Sequence, residues 1–262
     1  MPVHLLRRLT SSDHTSLLGR LIRLPLKLVP SGWVVRIPTG LNRGRRWICG
    51  SSIQRCWFGT YEFEKQDFIA RMVKPGMTVW DIGANVGFYT LALAQLVGPT
   101  GQVLAFEPLA ANAAFLLRHL ELNALTNVKV IQAALSDTAD LLGFTATQNS
   151  SMGSLAGRDL PYLVPTLTPA AVLAALPAAI PQLLKVDIEG AEGAVLQAFR
   201  PILEQHSPDI LLALHGPVQE EQCLRLLQDL GYSLFYLNGE RVPAAGSLSS
   251  DEIFAMRRTS AR

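Results

Sequence analysis

Two glycines spaced four residues apart lie in the stretch of this chain with the clearest chemical meaning. Gly83 and Gly87 follow the carboxylate of Asp81, which ends an apolar run at 77–80, and they precede a helical pattern at 88–97. A strand that ends on an acid, a glycine turn and a helix N-terminus together form the nucleotide pocket of open α/β sheets. The stretch therefore predicts a site for a cofactor that contains adenosine.

The spacing of the turn distinguishes between cofactors. Dinucleotide enzymes need a middle glycine so that a pyrophosphate can approach the backbone, but Asn85 occupies that position here. The charge of Asp81 would repel a pyrophosphate and suits a cationic ligand. A second predicted strand, 101–106, ends at Glu107, where a carboxylate would bind both ribose hydroxyls. We therefore predict S-adenosylmethionine, bound by Asp81, Gly83, Asn85, Gly87 and Glu107.

A second group of charges lies within an apolar run. Lys185, Asp187 and Glu189 occur at every other position of a stretch that otherwise has the pattern of a buried central strand. Burying several charges is costly unless they pair or bind a ligand. Because the carboxyl ends of parallel strands face the ligand crevice, these residues are candidates for the active site. The alternative is a structural ion pair between Lys185 and Asp187.

Strands and helices alternate along the part of the chain that must position these residues. Beyond the two strands above, strands are predicted at 127–132, 141–146, 182–187 and 209–214, with a closing pair at 232–237 and 253–256 whose last strand is antiparallel. Helices are predicted at 88–97, 109–122, 191–199 and 218–230, and a short one within 161–181 is capped by Thr168. The alternation predicts an α/β fold with a doubly wound, mostly parallel sheet.

The N-terminal part has a different pattern. Two short predicted strands, 33–37 and 46–49, flank a turn-rich stretch and would form a hairpin-like cap, and a helix at 61–73 leads into the main domain. We therefore assign residues 1–60 to a basic lead-in and cap, and residues 61–262 to the cofactor-binding domain. With 262 residues, 49% of them hydrophobic, the chain has room for one such domain and one active site.

Positive charge is concentrated at the N-terminus. Residues 1–50 contain nine lysines and arginines against Asp13 alone, so the net charge of +2 leaves the remainder at −6. Two interpretations stay open: a solvated lead-in, or an amphipathic element that contacts an anionic membrane or substrate. No apolar run in the sequence is long enough to span a bilayer. Three cysteines without a C-x-x-C pair predict a reducing, cytoplasmic location.

Six motifs, in order, give the chain a recognisable signature. They are Gly59-Thr60-Tyr61-Glu62, the run from Asp81 to Thr90, Phe106-Glu107-Pro108, Ala134 to Asp137, Leu184 to Glu192, and Leu214-His215-Gly216. Between about Gly32 and Tyr232 the chain resembles the FkbM family of S-adenosylmethionine-dependent methyltransferases. The resemblance implies a Rossmann-like class I methyltransferase that transfers a methyl group to a hydroxyl of a sugar, glycan or natural product. Thr168 and Ala213 depart from acids that are frequent in the family.

Methyl transfer to a hydroxyl needs alignment of the reactants and a base for the proton. Asp187 and His215, at the ends of two neighbouring predicted strands, are the candidate bases, and Lys185 would orient Asp187. Glu62, in the entry helix, would reach over the cofactor or acceptor, and Asp137 would meet the adenine amino group. A divalent ion on Asp187, Glu189 and His215 is left open, because no spacing demands one.

Two other functions are weighed against O-methylation. Methylation of a nitrogen, as in nucleic-acid enzymes, is disfavoured because the chain lacks an Asn/Asp-Pro-Pro-aromatic run and its acidic body would repel phosphate. We therefore expect no nucleic-acid partner and a small-molecule or glycan acceptor. The second alternative is a non-catalytic binding module that retains the fold. The sequence does not predict the oligomeric state.

Overall fold

The computed structural model describes residues 29–146, 153–156, 162–243 and 248–257. The basic segment 1–28 lies outside these ranges. The chain starts with an antiparallel hairpin of β1 (Val34–Arg36) and β2 (Arg46–Ile48), followed by α1 (Gln54–Phe58) and α2 (Phe63–Met72). The hairpin that the sequence predicts is therefore confirmed, whereas the division into two domains stays a prediction.

A seven-stranded, mostly parallel sheet forms the centre of the fold. Its members are β3 (Thr78–Ile82), β4 (Gln102–Phe106), β5 (Val128–Ile131), β10 (Leu183–Val186), β11 (Asp209–Ala213), β12 (Ser233–Tyr236) and β13 (Glu252–Met256). The order across the sheet is β12-β13-β11-β10-β3-β4-β5, and only the pairings of β13 are antiparallel. The predicted α/β fold and the antiparallel closing strand are confirmed.

The strand order places the ligand crevice. From β3 the chain moves outward to β4 and β5, and it then returns to the other side of β3 with β10 and β11. The order therefore reverses between β3 and β10, and ligands of open α/β sheets bind outside the carboxyl ends of the strands at such a switch point. Asp81, Glu107, Asp187 and His215 lie in or just after four of these five strands.

Helices cover both faces of the sheet. They are α3 (Phe88–Val97), α4 (Ala110–Leu122), α5 (Pro169–Ala175), α6 (Glu192–His206) and α7 (Pro217–Asp229). Consecutive side chains of β3 point to opposite faces of the sheet. Val79 and Trp80 are both fully buried, but they belong to different apolar clusters. The predicted cap of α5 is confirmed, because the backbone N–H of Ala171 donates to the hydroxyl of Thr168 over 3.1 Å.

Two sequence predictions about elements were incomplete. The strand Leu141–Ala146 (β7) forms with the predicted bounds, but it belongs to a separate sheet with β6 (Ala134–Leu135), β8 (Gly153–Ala156) and β9 (Leu163–Leu167), in the order β6-β9-β7-β8. Helix α6 was predicted to end at 199 but continues to His206 through Pro201. The buried side chains of Ile202 and Leu203 extend its apolar face beyond the proline.

Candidate functional site

Lys185 and Asp81 form a buried ion pair between the two central strands. The two residues are direct cross-strand neighbours, and the Nζ atom of Lys185 lies 3.0 Å from Oδ1 of Asp81. Nζ is also 3.7 Å from Oδ2 of Asp187 and 3.4 Å from the carbonyl oxygen of Gly83. Burial lowers the pKa of Lys185, but the adjacent Asp81 and Asp187 carboxylates outweigh this effect and raise it. Lys185 is therefore a stable cation beneath the site.

Asp81 is buried beneath the crevice and paired with other side chains. Its side chain has no exposed surface, and its second oxygen accepts a hydrogen bond from the Thr90 hydroxyl over 2.7 Å. Asp81 does not line either cavity described below. The pleat of β3 turns this carboxylate toward Lys185 on β10 instead of toward the crevice. Asp81 therefore supports the site from below, where the sequence predicted direct contact with a cofactor.

Glycines in the turn after β3 allow it to pack tightly against the end of β10. Gly83 has a φ of +81°, and a Cβ atom at this position would lie 1.9 Å from the carbonyl oxygen of Asp187. Gly87, at the start of α3, has a φ of +95° and packs against Leu116. Asn85 also adopts a left-handed conformation, with a φ of +50°. The turn is thus held in a geometry that side chains rarely adopt.

Glu107 closes the turn from the neighbouring strand. Its carboxylate accepts hydrogen bonds from the backbone N–H groups of Asn85, over 2.8 Å, and Leu109, over 2.9 Å, and from the side chain of Asn112. Burial raises the pKa of Glu107, although these three donors oppose the rise. Because each carboxylate oxygen has two lone pairs, the group can accept further hydrogen bonds from a ligand.

An apolar cavity of about 630 Å³ opens beside Glu107. Apolar side chains form most of its wall, and Gly83, Asn85, Glu107, Asn112, Asp187 and Glu189 contribute the polar groups. A mostly apolar slot with a few polar groups is typical of small-molecule sites. Asp137, which the sequence predicted here, does not line the cavity. It is exposed after β6, where the Ser136 hydroxyl donates to it, so a contact with adenine is not supported.

A second, acidic cavity of about 980 Å³ lies next to the first. Its wall includes five carboxylates and three basic side chains, namely Glu62, Asp187, Glu189, Asp251 and Glu252, and Lys65, Lys185 and His215. Gly83, Asn85, Asp187 and Glu189 line both cavities. Asp187 therefore lies at the junction of the two, which is where a ligand in one cavity would meet a ligand in the other.

Charges in the acidic cavity are arranged in two layers. The lysines lie behind, since the Lys65 and Lys185 side chains are 3% and 4% exposed. The carboxylates of Glu62, Asp187 and Glu189 are each between 27% and 31% exposed. A ligand that enters the cavity consequently meets hydrogen-bond acceptors first. Burial raises the pKa of Asp187, but Lys185, Lys65 and His215 outweigh it and lower the pKa to about 2.

Glu62 is at the edge of the acidic cavity in a strained backbone conformation. It immediately precedes α2, where the sequence placed it inside the helix, and its φ of +44° is left-handed. Its carboxylate accepts a hydrogen bond from the Tyr89 hydroxyl over 2.8 Å and lies 2.7 Å from Nζ of Lys65. Strain of this kind persists where surrounding contacts hold it, often at functional sites.

His215 is paired with a buried carboxylate that the sequence analysis did not single out. Its Nδ1 atom lies 2.5 Å from Oε1 of Glu192, the first residue of α6, and its Nε2 atom lies 3.9 Å from Glu189. The hydrogen bond that Nδ1–H of His215 donates to Glu192 is the largest influence and raises the pKa of His215 to about 9. The raised pKa favours the protonated form of His215 near neutral pH, and this form donates a hydrogen bond instead of accepting a proton.

Lys65, Tyr89 and Glu252 are further members of the cluster that sequence reasoning missed. Lys65 lies on the buried face of α2 with Phe68 and Ile69, and a lysine on an apolar stripe is the signal that would have indicated it. Glu252 begins the closing strand β13, which is far from the other site residues in the sequence. Its position in the sequence therefore gives no sign that it lies next to Lys65 in the fold. Within the described parts of the chain, no group of three or more potential ligand side chains has metal-binding geometry.

The fold and the two cavities define a class I, Rossmann-like methyltransferase architecture, and the residues fit S-adenosylmethionine. Gly83, Asn85 and Glu107 supply a close turn and a carboxylate beside an apolar slot, and the acidic junction suits a cationic sulfur. The sequence model of the Methyltransferase FkbM domain matches residues 81–234. The chain belongs to the FkbM methyltransferase family, as the motifs predicted, and S-adenosylmethionine is the cofactor.

Individual proteins that the chain resembles match it less completely than the family model does. A curated ribosomal RNA large subunit methyltransferase E from Alkalilimnicola ehrlichii is 34% identical over 87 residues, 33% of this chain and 35% of the relative. The solved FkbM methyltransferase of Methylobacillus flagellatus has 16% identity and a TM-score of 0.48 over 70% of this chain and 44% of its own. An S-adenosylmethionine-dependent O-methyltransferase of Thermotoga maritima has 16% identity and a TM-score of 0.49 over 94% and 83%. The chain thus spans about a third of the length of its curated relative.

Proposed function

We propose that the protein transfers a methyl group from S-adenosylmethionine to a hydroxyl of a sugar, glycan or other small polyhydroxylated acceptor. The observation that carries the proposal is the position of Asp187 at the junction of the apolar and acidic cavities. The apolar cavity would hold the adenosine part of the cofactor, and the acidic cavity the acceptor. Bound S-adenosylmethionine supplies an activated methyl group on a sulfonium, so the chain has to orient the acceptor and take a proton.

Asp187 is the proposed proton acceptor. It is ionised at neutral pH, because the neighbouring cations lower its pKa to about 2, and it is partly exposed toward the acidic cavity. A low pKa makes it a weak base, so its main contribution is to hydrogen-bond and orient the hydroxyl while the proton moves to it. A general base contributes about 10²–10⁴-fold to the rate when its pKa is near the working pH, and for Asp187 orientation of the hydroxyl has to supply much of that factor.

Lys185 and His215 have supporting roles in this proposal. Lys185 fixes Asp187 through the buried pair with Asp81. His215 is a cation with an N–H at Nε2, which lies 3.9 Å from Glu189 at the cavity wall. Such a group donates a hydrogen bond to an acceptor oxygen. Glu62 would accept hydrogen bonds from other hydroxyls of the acceptor.

The two-layer arrangement of charges supports a neutral, hydroxyl-rich acceptor. Exposed carboxylates accept hydrogen bonds from hydroxyl groups and repel phosphates and carboxylates. The name of the curated relative refers to ribosomal RNA, and an RNA acceptor would bring phosphates to this surface. The carboxylates of the acidic cavity would repel these phosphates, which argues against an RNA acceptor. Methylation of an uncharged amine is then the main alternative to methylation of a hydroxyl.

Incorporation of labelled methyl groups tests the proposal. Purified protein is incubated with methyl-labelled S-adenosylmethionine and separate pools of neutral glycans, amines and RNA. We expect label in the neutral glycan or polyol pool that resists acid treatment as a methyl ether does. Label in RNA or amines alone would contradict the proposed acceptor. S-adenosylmethionine binding without transfer to any pool would favour a non-catalytic module.

A further inference from the structure

The ammonium group of Lys65 contacts carboxylates from three separate parts of the chain. Its Nζ atom lies 2.7 Å from Glu62, 3.4 Å from Asp187 and in direct contact with Glu252. These partners come from the segment before α2, the end of β10 and the start of β13. Lys65 itself is 3% exposed. A lysine buried to this degree is unfavourable unless it is paired, so the three carboxylates account for its place in the core.

We propose that Lys65 is a positioning residue for the reaction, which keeps Asp187 ionised and holds its carboxylate at the junction of the two cavities. The inference rests on the proposed function for what Asp187 does. The contact between Lys65 and Asp187 is independent of that function. Lys65 thereby connects α2, which enters the main domain after the hairpin cap, to the strand end that carries the reactive carboxylate.

Removing Lys65 would change the balance of charge around Asp187. Burial favours the neutral form of this carboxyl, and the nearby ionisable groups are Lys65, Lys185, His215, Glu189, Glu252 and Tyr61. Without Lys65, two cations remain against two carboxylates and burial, so the pKa of Asp187 must rise. Glu62 and Glu252 would also lose their shared partner, and the unbalanced negative charge of Glu252 would raise the pKa of Asp187 further.

Lys185 also favours the ionised form of Asp187, but it contacts the carboxylate differently. Its Nζ atom is closer to Asp81, at 3.0 Å, than to Asp187, at 3.7 Å. The ammonium group of Lys65, at 3.4 Å, is the nearer of the two lysines to Asp187 and approaches from the acidic cavity. The charge of Lys185 also lowers the pKa of Asp187, and by more than the charge of Lys65 does, but of the two lysines only Lys65 lies within hydrogen-bond distance of the Asp187 carboxylate.

Carboxyl NMR of the full-length protein labelled with ¹³C aspartate tests the inference without any acceptor or cofactor. The Asp187 signal is assigned from the spectrum of Asp187→Asn. In the unmodified protein the signal should not move between neutral pH and about pH 4, because the pKa of Asp187 is about 2, whereas an ordinary aspartate titrates near 3.9. In Lys65→Met the same signal should titrate within this range, and Lys65→Arg should restore the original behaviour.

Matched variants separate this electrostatic role from loss of structure. Lys74→Met removes an exposed lysine just beyond the end of α2 and should leave the Asp187 signal unchanged. If Lys65→Met does not fold, Lys65→Gln, which removes the charge but keeps a polar side chain, serves for the same titration. A folded Lys65→Met or Lys65→Gln protein in which Asp187 titrates as in the unmodified protein would overturn the inference.

Kinetics provide a second measurement once an acceptor is known. Lys65→Met should move the acid limb of the kcat profile to higher pH, so that kcat falls by about 10-fold or more at acidic pH, where Asp187 becomes protonated, while the KM for S-adenosylmethionine changes little. Lys65→Arg should recover most of the rate. An equal loss in both charge-neutral and arginine variants would indicate a structural role only. If the proposed function itself is wrong, the unmodified protein will show no methyl transfer, which distinguishes that outcome from an incorrect role for Lys65.

Discussion

The Nδ1 atom of His215 lies 2.5 Å from Oε1 of Glu192, a carboxylate without exposed surface. Within the described part of the chain, the other oxygen of Glu192 has no hydrogen-bond partner, and the backbone N–H of Gly190 also donates to Oε1. A buried acid of this kind holds the imidazole in one orientation and favours its protonated form. The structure therefore favours a protonated His215, whereas the base that the sequence predicts at this position would have to be neutral.

Replacement of Glu192 by glutamine should lower the pKa of His215 from its value of about 9 toward the ordinary 6.5. Because a raised pKa stabilises the folded protein below the unfolded value, this stabilisation is complete below about 6.5 and is lost as pH rises through about 9. NMR titration of the His215 ring measures the change directly. An unchanged pKa in Glu192→Gln would show that the buried carboxylate does not control it.

Replacement of Asp187 by asparagine should separate cofactor binding from turnover. The amide keeps the shape of the side chain but cannot accept a proton, so kcat should fall by about 10²–10⁴-fold. Affinity for S-adenosylmethionine should change much less, because most of the apolar cavity wall is untouched. Calorimetry and a methyl-transfer assay measure the two quantities. Full activity of Asp187→Asn would exclude Asp187 as the proton acceptor.

Gly83→Ala should disrupt the contact between the glycine turn and the end of β10. The new Cβ atom would lie 1.9 Å from the carbonyl oxygen of Asp187, and the left-handed φ adds strain. Gly190→Ala is the matched control, because Gly190 has a similar φ of +84° but open space around it. Urea unfolding should show that Gly83→Ala loses at least about 2 kcal/mol more than the control. Equal losses would mean that the turn readily shifts.

His119 should couple the hairpin cap to the cofactor turn. Its ring stacks on Trp47, its Nε2 atom accepts from the backbone N–H of Ile48 over 3.1 Å, and its Nδ1–H donates to the carbonyl oxygen of Val86 over 2.8 Å. Burial lowers the pKa of His119 to about 4. The stability that depends on the neutral ring is therefore complete above 6.5 and is lost as pH falls through about 4.

His119→Phe keeps a ring against Trp47 but leaves both backbone groups unpaired, so the free energy of unfolding should fall by about 1–3 kcal/mol at neutral pH. The decline in stability between neutral and mildly acidic pH should also become shallower. His206→Phe, at the end of α6, is the matched control and should retain that decline. Urea unfolding at several pH values provides the comparison. An unchanged pH dependence in His119→Phe would contradict the coupling.

The sequence predicted local motifs better than long-range contacts. The glycine turn, Glu107 and the strand that ends at Asp187 follow from spacing along the chain, and the structure brings them to one crevice. The sequence predicts that Asp81 binds the cofactor because this residue ends a strand. The direction of its side chain and its pairing with Lys185 depend on the register between β3 and β10, which cannot be inferred from the sequence. Asp137 follows the short strand β6, which pairs with β9 outside the main sheet.

Residues missed by sequence analysis share a physical reason. Lys65 and Glu252 are 187 positions apart in the numbering, and only the folded chain shows that they are partners. Glu192 has the sequence appearance of an ordinary acid in the first turn of a helix, which normally stabilises the helix dipole. Its burial against His215 is a consequence of how α6 packs beside β11. The side sheet of β6 to β9 also depends on pairings between distant segments.

No helix among the described residues has the length and apolar character required to cross a membrane. The basic segment 1–28 remains a candidate for contact with an anionic membrane or substrate. Deletion of residues 1–28 should leave S-adenosylmethionine affinity unchanged and reduce binding to anionic lipid vesicles. Equal vesicle binding by the shortened and full-length proteins would exclude this role for the segment.

Calorimetric titration of the purified protein with S-adenosylmethionine tests the central claim most directly. We predict saturable binding at one site per chain, with affinity reduced at least about 10-fold in Glu107→Ala, because that carboxylate closes the turn and lines the apolar cavity. A dinucleotide such as NAD should give no saturable heat under the same conditions. Absence of S-adenosylmethionine binding by folded protein, or tight binding of the dinucleotide instead, would contradict the account.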